Sequence, residues 1–250
     1  MRGVILAGGL GTRLAPLTHV TNKHLLPVYD KPMIYYPLTC LVNAGITDIL
    51  IVTGGKHAGD FLELLGNGEH FGLTHLHYTY QRGQGGIADA LSLAEDFTEG
   101  DKVCVFLGDT VIEGNINDAV AAFENQEEAA KIMLKKVEDP RRYGVARFEG
   151  DQVVEIIEKP TQPPSSFAVT GIYFYDSSVF EICAQQTPSV RGELEITDVN
   201  NHYIKEGQMT WDILEGWWTD AGTFETLFRA SRLVAETGAS KPALNGNSRF

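Results

Sequence analysis

The chain has few of the features that would fix it covalently or hold it to a membrane. It has only three cysteines in 250 residues, Cys40, Cys104 and Cys183, and their spacing is not that of a metal site. An odd count without a secretory leader points to reduced thiols, and so to a cytoplasmic protein, rather than a disulfide framework. The apolar run at 4–7 is too short for a signal-peptide core and is broken by glycines. No segment approaches the length of about 20 apolar residues that crosses a bilayer. Positive charge is also scarce. Lysine and arginine number 20 against 33 acidic residues, a formal net charge of −13. That balance argues against nucleic acid or an anionic membrane as partner. No linker rich in Ser, Pro or Gly divides the chain, and no internal repeat is visible. A chain of this length buries about three-quarters of its unfolded surface. The expectation is one domain over residues 1–236, with a loose tail over 237–250.

What is present is alternation. Continuous apolar runs at 4–7, 48–53 and 102–107 read as buried strands, and 74–80 as an alternating strand. Helices are predicted over 33–43, 60–65 and 87–97. The first is closed by Gly45, and Pro37 fits it only in the first turn. Such βαβ order implies an α/β fold with a parallel sheet covered on both faces. Later segments are richer in strands: 130–137, a hairpin from 143–148 and 153–157, and 167–175 containing Gly171. Helices follow from about 193 to 205 and over 224–236.

Ligands on parallel sheets sit at the carboxyl ends of the strands. Two chemically loaded stretches fall there. The first, GGLGTRLAPLTHVTNK over 8–23, follows the first strand. Gly8, Gly9 and Gly11 let backbone N–H groups approach a phosphate, and Arg13 and Lys23 add cations. It is not a P-loop, because Gly11-Thr12-Arg13 lacks Gly-Lys-Ser/Thr. It is not a dinucleotide fingerprint, because the position of the third glycine holds Leu14. By itself it could equally be a tight turn with solvated charges. The second is Gly108-Asp109-Thr110. Its carboxylate could hold a hard cation or simply cap a turn.

Longer matches resolve these alternatives. LAGGxGTRLxPxT over 6–18 and KHLLPVYDKPMIYYP over 23–37 resemble the sugar-phosphate nucleotidylyltransferases, most closely the glucose-1-phosphate thymidylyltransferases. The resemblance extends through residue 232. It implies a Rossmann-like nucleotidyltransferase fold, with a mostly parallel central sheet, helices on both faces and a smaller β-rich sugar-binding part. It also implies a homo-oligomer, a tetramer ahead of a dimer. Gly8, Gly9, Gly11, Thr12 and Arg13 would bind the nucleotide phosphates. QRGQGGIADA over 81–90 resembles the base-recognition stretch, with Gln81 and Gly86 in that role. Asp89 there departs from the more common Gln, and Thr110 from the usual Asn. The YGV, EKP and VTGxYFYD motifs would place Gly144, Glu158 and Gly171 against the sugar and Lys159 against its phosphate. SVRGELEITD adds Arg191 at that phosphate. GWWTDAGT adds Trp218 as a sugar-pocket wall and Asp220 as the partner of Asp109 for Mg²⁺. Asp109 and Asp220 lie too far apart in sequence for spacing alone to make them a site.

The implied reaction joins dTTP to α-D-glucose 1-phosphate, with Arg13, Lys23, Asp109 and Asp220 as the catalytic set. Two anions must meet, so positioning and electrostatic stabilisation would supply the catalysis. The nucleophile is already an anion, so no general base and none of the seven histidines is needed; His24 could still touch phosphate. UTP, or another hexose 1-phosphate, is the nearest alternative. A non-catalytic sugar-nucleotide sensor and a dinucleotide oxidoreductase are more distant ones. The longer relatives' C-terminal helical segment is not matched, which leaves their feedback site unassigned here.

Overall fold

The computed structural model describes residues 1–239. The predicted loose tail, 237–250, lies outside the described residues from position 240 onward. In chain order the strands are β1 (Arg2–Ala7), β2 (Pro27–Val28), β3 (Lys31–Pro32), β4 (Asp48–Gly54), β5 (His75–Gln81), β6 (Val103–Leu107), β7 (Thr110–Ile112), β8 (Ala130–Lys136), β9 (Gly144–Glu149), β10 (Gln152–Glu158), β11 (Phe167–Tyr175), β12 (Met209–Ile213) and β13 (Trp218–Asp220). The α-helices are α1 (Tyr35–Asn43), α2 (Ala58–Leu65), α3 (Ile87–Ser92), α4 (Glu95–Thr98), α5 (Asn117–Asn125), α6 (Val179–Gln185), α7 (Ile196–Lys205) and α8 (Phe224–Thr237).

The fold is the expected α/β architecture. Strand β1 pairs in parallel with β4 and β6, and β4 with β5. The apolar strands are continuous because both faces are covered. Val4 and Leu6 face one core, shared with Leu91 of α3, Val179 of α6 and Val199 of α7. Ile5 and Ala7 face the other, shared with Leu38 of α1, Phe61 of α2 and Phe123 of α5. The two-residue period of a strand therefore serves two helical layers at once. The β-rich second half extends the same sheet. Strand β11 runs antiparallel to β6, β8 and β9, and β12 pairs with β8.

The helices expected over 33–43 and 60–65 begin within two residues of those bounds, at Tyr35 and Ala58, and two others depart further. The helix predicted over 87–97 is divided into α3 and α4. The Ser92 hydroxyl donates to the Asp89 carbonyl at 2.8 Å, occupying an acceptor that the helix would use further on. Ala94 N–H then closes a tighter bond to Leu91 O at 2.9 Å. The helix predicted from 193 begins only at Ile196. Leu194 N–H donates to Gly85 O, and Leu194 O accepts from Ala88 N–H. Residues 193–195 are thus extended against the loop that precedes α3. Pro37 does fall in the first turn of α1, and Gly45 follows that helix with φ 81°.

The feature that shapes the site is a change of partners along β11. Before Gly171, Ala168 pairs with Val145 of β9; beyond it, Ile172 to Tyr175 pair with β6. The register against β8 also shifts between Val169 and Tyr173. Gly171 takes φ 84°, and a Cβ there would lie 2.8 Å from Leu107 and 2.9 Å from the Thr110 hydroxyl. Only glycine meets both conditions without strain. Gly150, in the β9–β10 turn, also has a positive φ (61°) but faces open space. Urea denaturation should separate the two effects. Gly150→Ala is expected to cost about 1 kcal/mol from the left-handed backbone alone. Gly171→Ala is expected to cost about 2–4 kcal/mol, because overpacking adds to it.

Candidate active site

A cavity of about 600 Å³ opens where β11 changes partners, beside the carboxyl ends of β1 and β6. Gly8, Gly9, Arg13 and Lys23 line it from the loop after β1. Gly11 and Thr12, expected beside them, do not. Gly11 has φ 64° and packs on Lys23, where a Cβ would come within 2.7 Å of the lysine Cβ. The 3₁₀ turn Thr12–Leu14 then sends Leu14 into the core and leaves Thr12 exposed. Gly11 therefore acts on the site by seating Lys23.

The two aspartates 111 positions apart in sequence are neighbours in space. Strands β7 and β13 form a short antiparallel ribbon in which Asp220 faces Thr110. Ala221 N–H donates to Asp109 O at 2.8 Å. Asp109 Oδ2, Asp220 Oδ2 and an Arg13 guanidinium nitrogen all converge on Gly222. A Cβ there would stand 3.3, 3.3 and 3.1 Å from them. This crowding explains the glycine of the Asp-Ala-Gly-Thr run, and Thr223 after it caps α8 through Thr226.

Each carboxylate is held. Lys23 Nζ lies 2.6 Å from Asp109 Oδ2. Burial would push the Asp109 carboxyl up, but the lysine charge and its hydrogen bond draw it down to about 2. Asp220 accepts from the Tyr143 hydroxyl at 3.0 Å, Gly222 N–H at 3.2 Å and the Thr226 hydroxyl at 3.3 Å. Arg142 stands 3.7 Å away. Burial and the Asp220 charge push the Tyr143 phenol upward, so it remains a donor.

At the other end, Gly144, Glu158, Lys159, Gly171 and Arg191 line the cavity. Glu158 is the counter-ion that gathers the two cations. It lies 3.0 Å from Lys159 Nζ and 3.6 Å from Arg191, and accepts from Thr197 at 2.8 Å. Arg191 is also bidentate to Glu195, at 3.1 and 2.7 Å. Lys159 holds φ 44°, a strained conformation for a residue with a side chain. Trp218 is both wall and core: it lines the cavity, is 5 % exposed, and donates its indole N–H to Thr170 O at 3.0 Å. Thr110, where Asn was the usual residue, donates to the same carbonyl at 3.1 Å.

Gln81 and Gly86 form the third corner. Gly86 has φ 100°, and a Cβ would lie 2.5 Å from the Leu194 carbonyl oxygen. The Gln81 amide nitrogen donates to Gly86 O at 3.0 Å and to Asp89 at 2.7 Å.

Sequence reasoning passed over Arg142, Tyr143, Thr197 and Asn200, which also line the cavity. Tyr143 is the first residue of the YGV motif and Arg142 precedes it, and that motif was the available signal. Thr197 and Asn200 had none beyond their place on α7. His24 is buried rather than a phosphate cation. Burial, with Lys23 beside it, lowers its imidazole to about 3. Its Nδ1 lies 2.8 Å from Asn22 Oδ1. The cysteine thiols are unpaired and buried. Burial pushes Cys40 and Cys183 up to about 12 and Cys104 well above its ordinary value, which removes all three as nucleophiles at neutral pH.

Residues 2–237 match the nucleotidyl transferase family. The chain is 44% identical to glucose-1-phosphate thymidylyltransferase of Neisseria meningitidis, over 94% of this chain and 82% of that one. The figures are the same for the Mycolicibacterium smegmatis protein of that name. A crystal structure of a Bacillus anthracis protein assigned as a glucose-1-phosphate thymidylyltransferase, in complex with sucrose, is 51% identical. It superimposes with a TM-score of 0.90, over 94% of this chain and 96% of that one. A UDP-glucose pyrophosphorylase bound to UDP-glucose, 23% identical, shares the fold with a TM-score of 0.83, over 94% of this chain and 98% of that one.

The buried neutral His24 has a measurable consequence. Below its ordinary value near 6.5 the unfolded chain takes up a proton that the folded chain refuses until about 3. Stability therefore falls with pH across that window, by up to about 1.4 kcal/mol per pH unit from this group. His24→Gln should make the loss between about pH 6.5 and pH 4.5 shallower by roughly that amount, measured by urea denaturation.

Proposed function

This chain belongs to the nucleotidyl transferase family, and we propose that it transfers a thymidylyl group from dTTP to α-D-glucose 1-phosphate, releasing pyrophosphate. One observation carries the reading. A single cavity in an acidic chain collects Arg13 and Lys23 from one loop, Lys159 and Arg191 from two others, and a convergent carboxylate pair. Two phosphorylated substrates that repel each other need such an arrangement. The relatives' names supply the base and the sugar.

Gly8 and Gly9 N–H groups and Arg13 hold the β- and γ-phosphates. Lys23 offsets charge at the α-phosphate. Lys159 and Arg191 take the sugar phosphate, for which the carboxylates of Glu158 and Glu195 hold them ready. A sugar-phosphate oxygen attacks the α-phosphorus, the bond to the β-phosphate oxygen breaks, and pyrophosphate leaves with the electron pair. Alignment and charge stabilisation provide the acceleration.

Asp109 and Asp220 suit a hard divalent ion. Two carboxylate oxygens approach one point, and no larger group of His, Cys, Asp or Glu among the described residues would complete a protein-only cage. Mg²⁺ takes one or two carboxylates and leaves other positions to phosphates and water. When bound, it would neutralise phosphate charge.

We read residues 1–236 as one working unit in a cytoplasmic homo-oligomer, a tetramer ahead of a dimer. Exposed Tyr29, Phe224 and Phe228 beside and along α8 support assembly. No helix among the described residues is long and apolar enough to cross a membrane.

Pyrophosphate release, measured over a grid of nucleoside triphosphates and hexose 1-phosphates, should be fastest with dTTP and glucose 1-phosphate. A clear preference for UTP would overturn the base assignment. Lys23→Ala and Asp109→Ala should each lower kcat by about 10²-fold or more with unchanged circular dichroism. Gln81→Ala should alter the choice among bases more than the choice among sugars, seen in the kcat/KM ratios of the same grid.

A further inference from the structure

The Gln81 amide is held in one orientation by its neighbours. Both groups it meets, the Gly86 carbonyl at 3.0 Å and the Asp89 carboxylate at 2.7 Å, accept hydrogen bonds and cannot donate them. The amide nitrogen must therefore point at them. A flipped amide would set its oxygen against two acceptors, one of them charged. Gln81 lines the cavity, whereas Asp89 stands behind it. The Asp89 side chain is itself pressed by the loop: a Cβ on Gly85 would lie 2.4 Å from its carboxyl carbon. Ser92 anchors the main chain of Asp89 from the other side, at 2.8 Å. With the nitrogen occupied twice, the Gln81 oxygen lies on the wall of the cavity beside Gly8, where a Cβ would come within 2.5 Å of it, and no hydrogen-bond partner is found for it among the described residues.

We propose that Asp89 is a positioning residue for base selection: it fixes the Gln81 amide so that only an acceptor meets the base. This rests on the nucleotidyl-transfer reading above. Thymine and uracil present an N3–H donor and complement Gln81 Oε1. Cytosine presents a lone pair at N3 and would face oxygen with nitrogen, acceptor to acceptor. Asp89 thereby excludes cytosine without touching it. It does not distinguish thymine from uracil, whose N3 edges are the same.

The test compares kcat/KM for dTTP and dCTP, with glucose 1-phosphate as acceptor, in the unaltered protein and in Asp89→Asn. Asparagine keeps the shape but can donate as well as accept, so only the Gly86 carbonyl is left to hold the amide in its orientation. The dTTP-to-dCTP ratio should fall about tenfold, in line with losing the orienting bond to a charged group. Asp89→Ala, which removes the acceptor altogether, should lower the ratio at least as far. An unchanged ratio in both variants would overturn the inference. So would an equal loss of kcat/KM with every triphosphate, which is what mere loosening of the loop would give. Failure of the unaltered protein to turn over any pair would overturn the nucleotidyl-transfer reading and this inference with it. Turnover with an unmoved ratio overturns the role of Asp89 alone.

Discussion

One carbonyl oxygen, that of Thr170, accepts from both the Thr110 hydroxyl and the Trp218 indole. It can do so because β11 changes neighbours at the next residue, Gly171, and leaves that oxygen outside the regular ladder between strands. Thr110 begins β7 and Trp218 begins β13, so one acceptor ties together the strand that follows Asp109 and the strand that ends in Asp220. Asp109 precedes Thr110, and Asp220 lies opposite it. The same change of partners opens the cavity. A backbone irregularity thus makes the space and also fixes what stands around it.

Charge is the second constraint. Gathering cations in a chain of net charge −13 is favourable, but holding carboxylates close together is not. The structure pairs each acidic group with donors. Asp109 has Lys23, and Asp220 has a phenol, a hydroxyl, a backbone amide and nearby Arg142. Glu158 in turn keeps Lys159 and Arg191 side by side. Dipoles and charges held in this way need little reorganisation when charge moves during the reaction, which is how a fixed polar site lowers a barrier. The sulfhydryls stay neutral in the interior, and His24 lines the cavity as a neutral imidazole.

Much of the α/β half was legible without coordinates. Unbroken apolar runs at β1, β4 and β6 implied strands covered on both faces, and glycine-rich or acidic residues just after them implied a common rim. The errors fell where single contacts, one local and the others tertiary, overrode the apolar pattern. Ser92 ended α3 early by taking a helix acceptor. Leu194 gave its backbone to the 85–88 loop and delayed α7. Thr12 was turned outward because Leu14 was drawn into the core. The contacts of Leu194 and Leu14 have no signature within their own segments.

The sequence by itself determined the chemical inventory: glycines where the backbone must turn or come close, cations at set positions, and motifs long enough to point to a family. Those depend on residue type and near spacing, which a linear chain displays. Only the tertiary structure decided that Asp109 and Asp220 share one point, that Glu158 binds two cations together, and that Asp89 sets the face Gln81 presents. Each of those joins residues through strand pairing or loop packing, and such pairing is set by the whole core rather than by any stretch of chain.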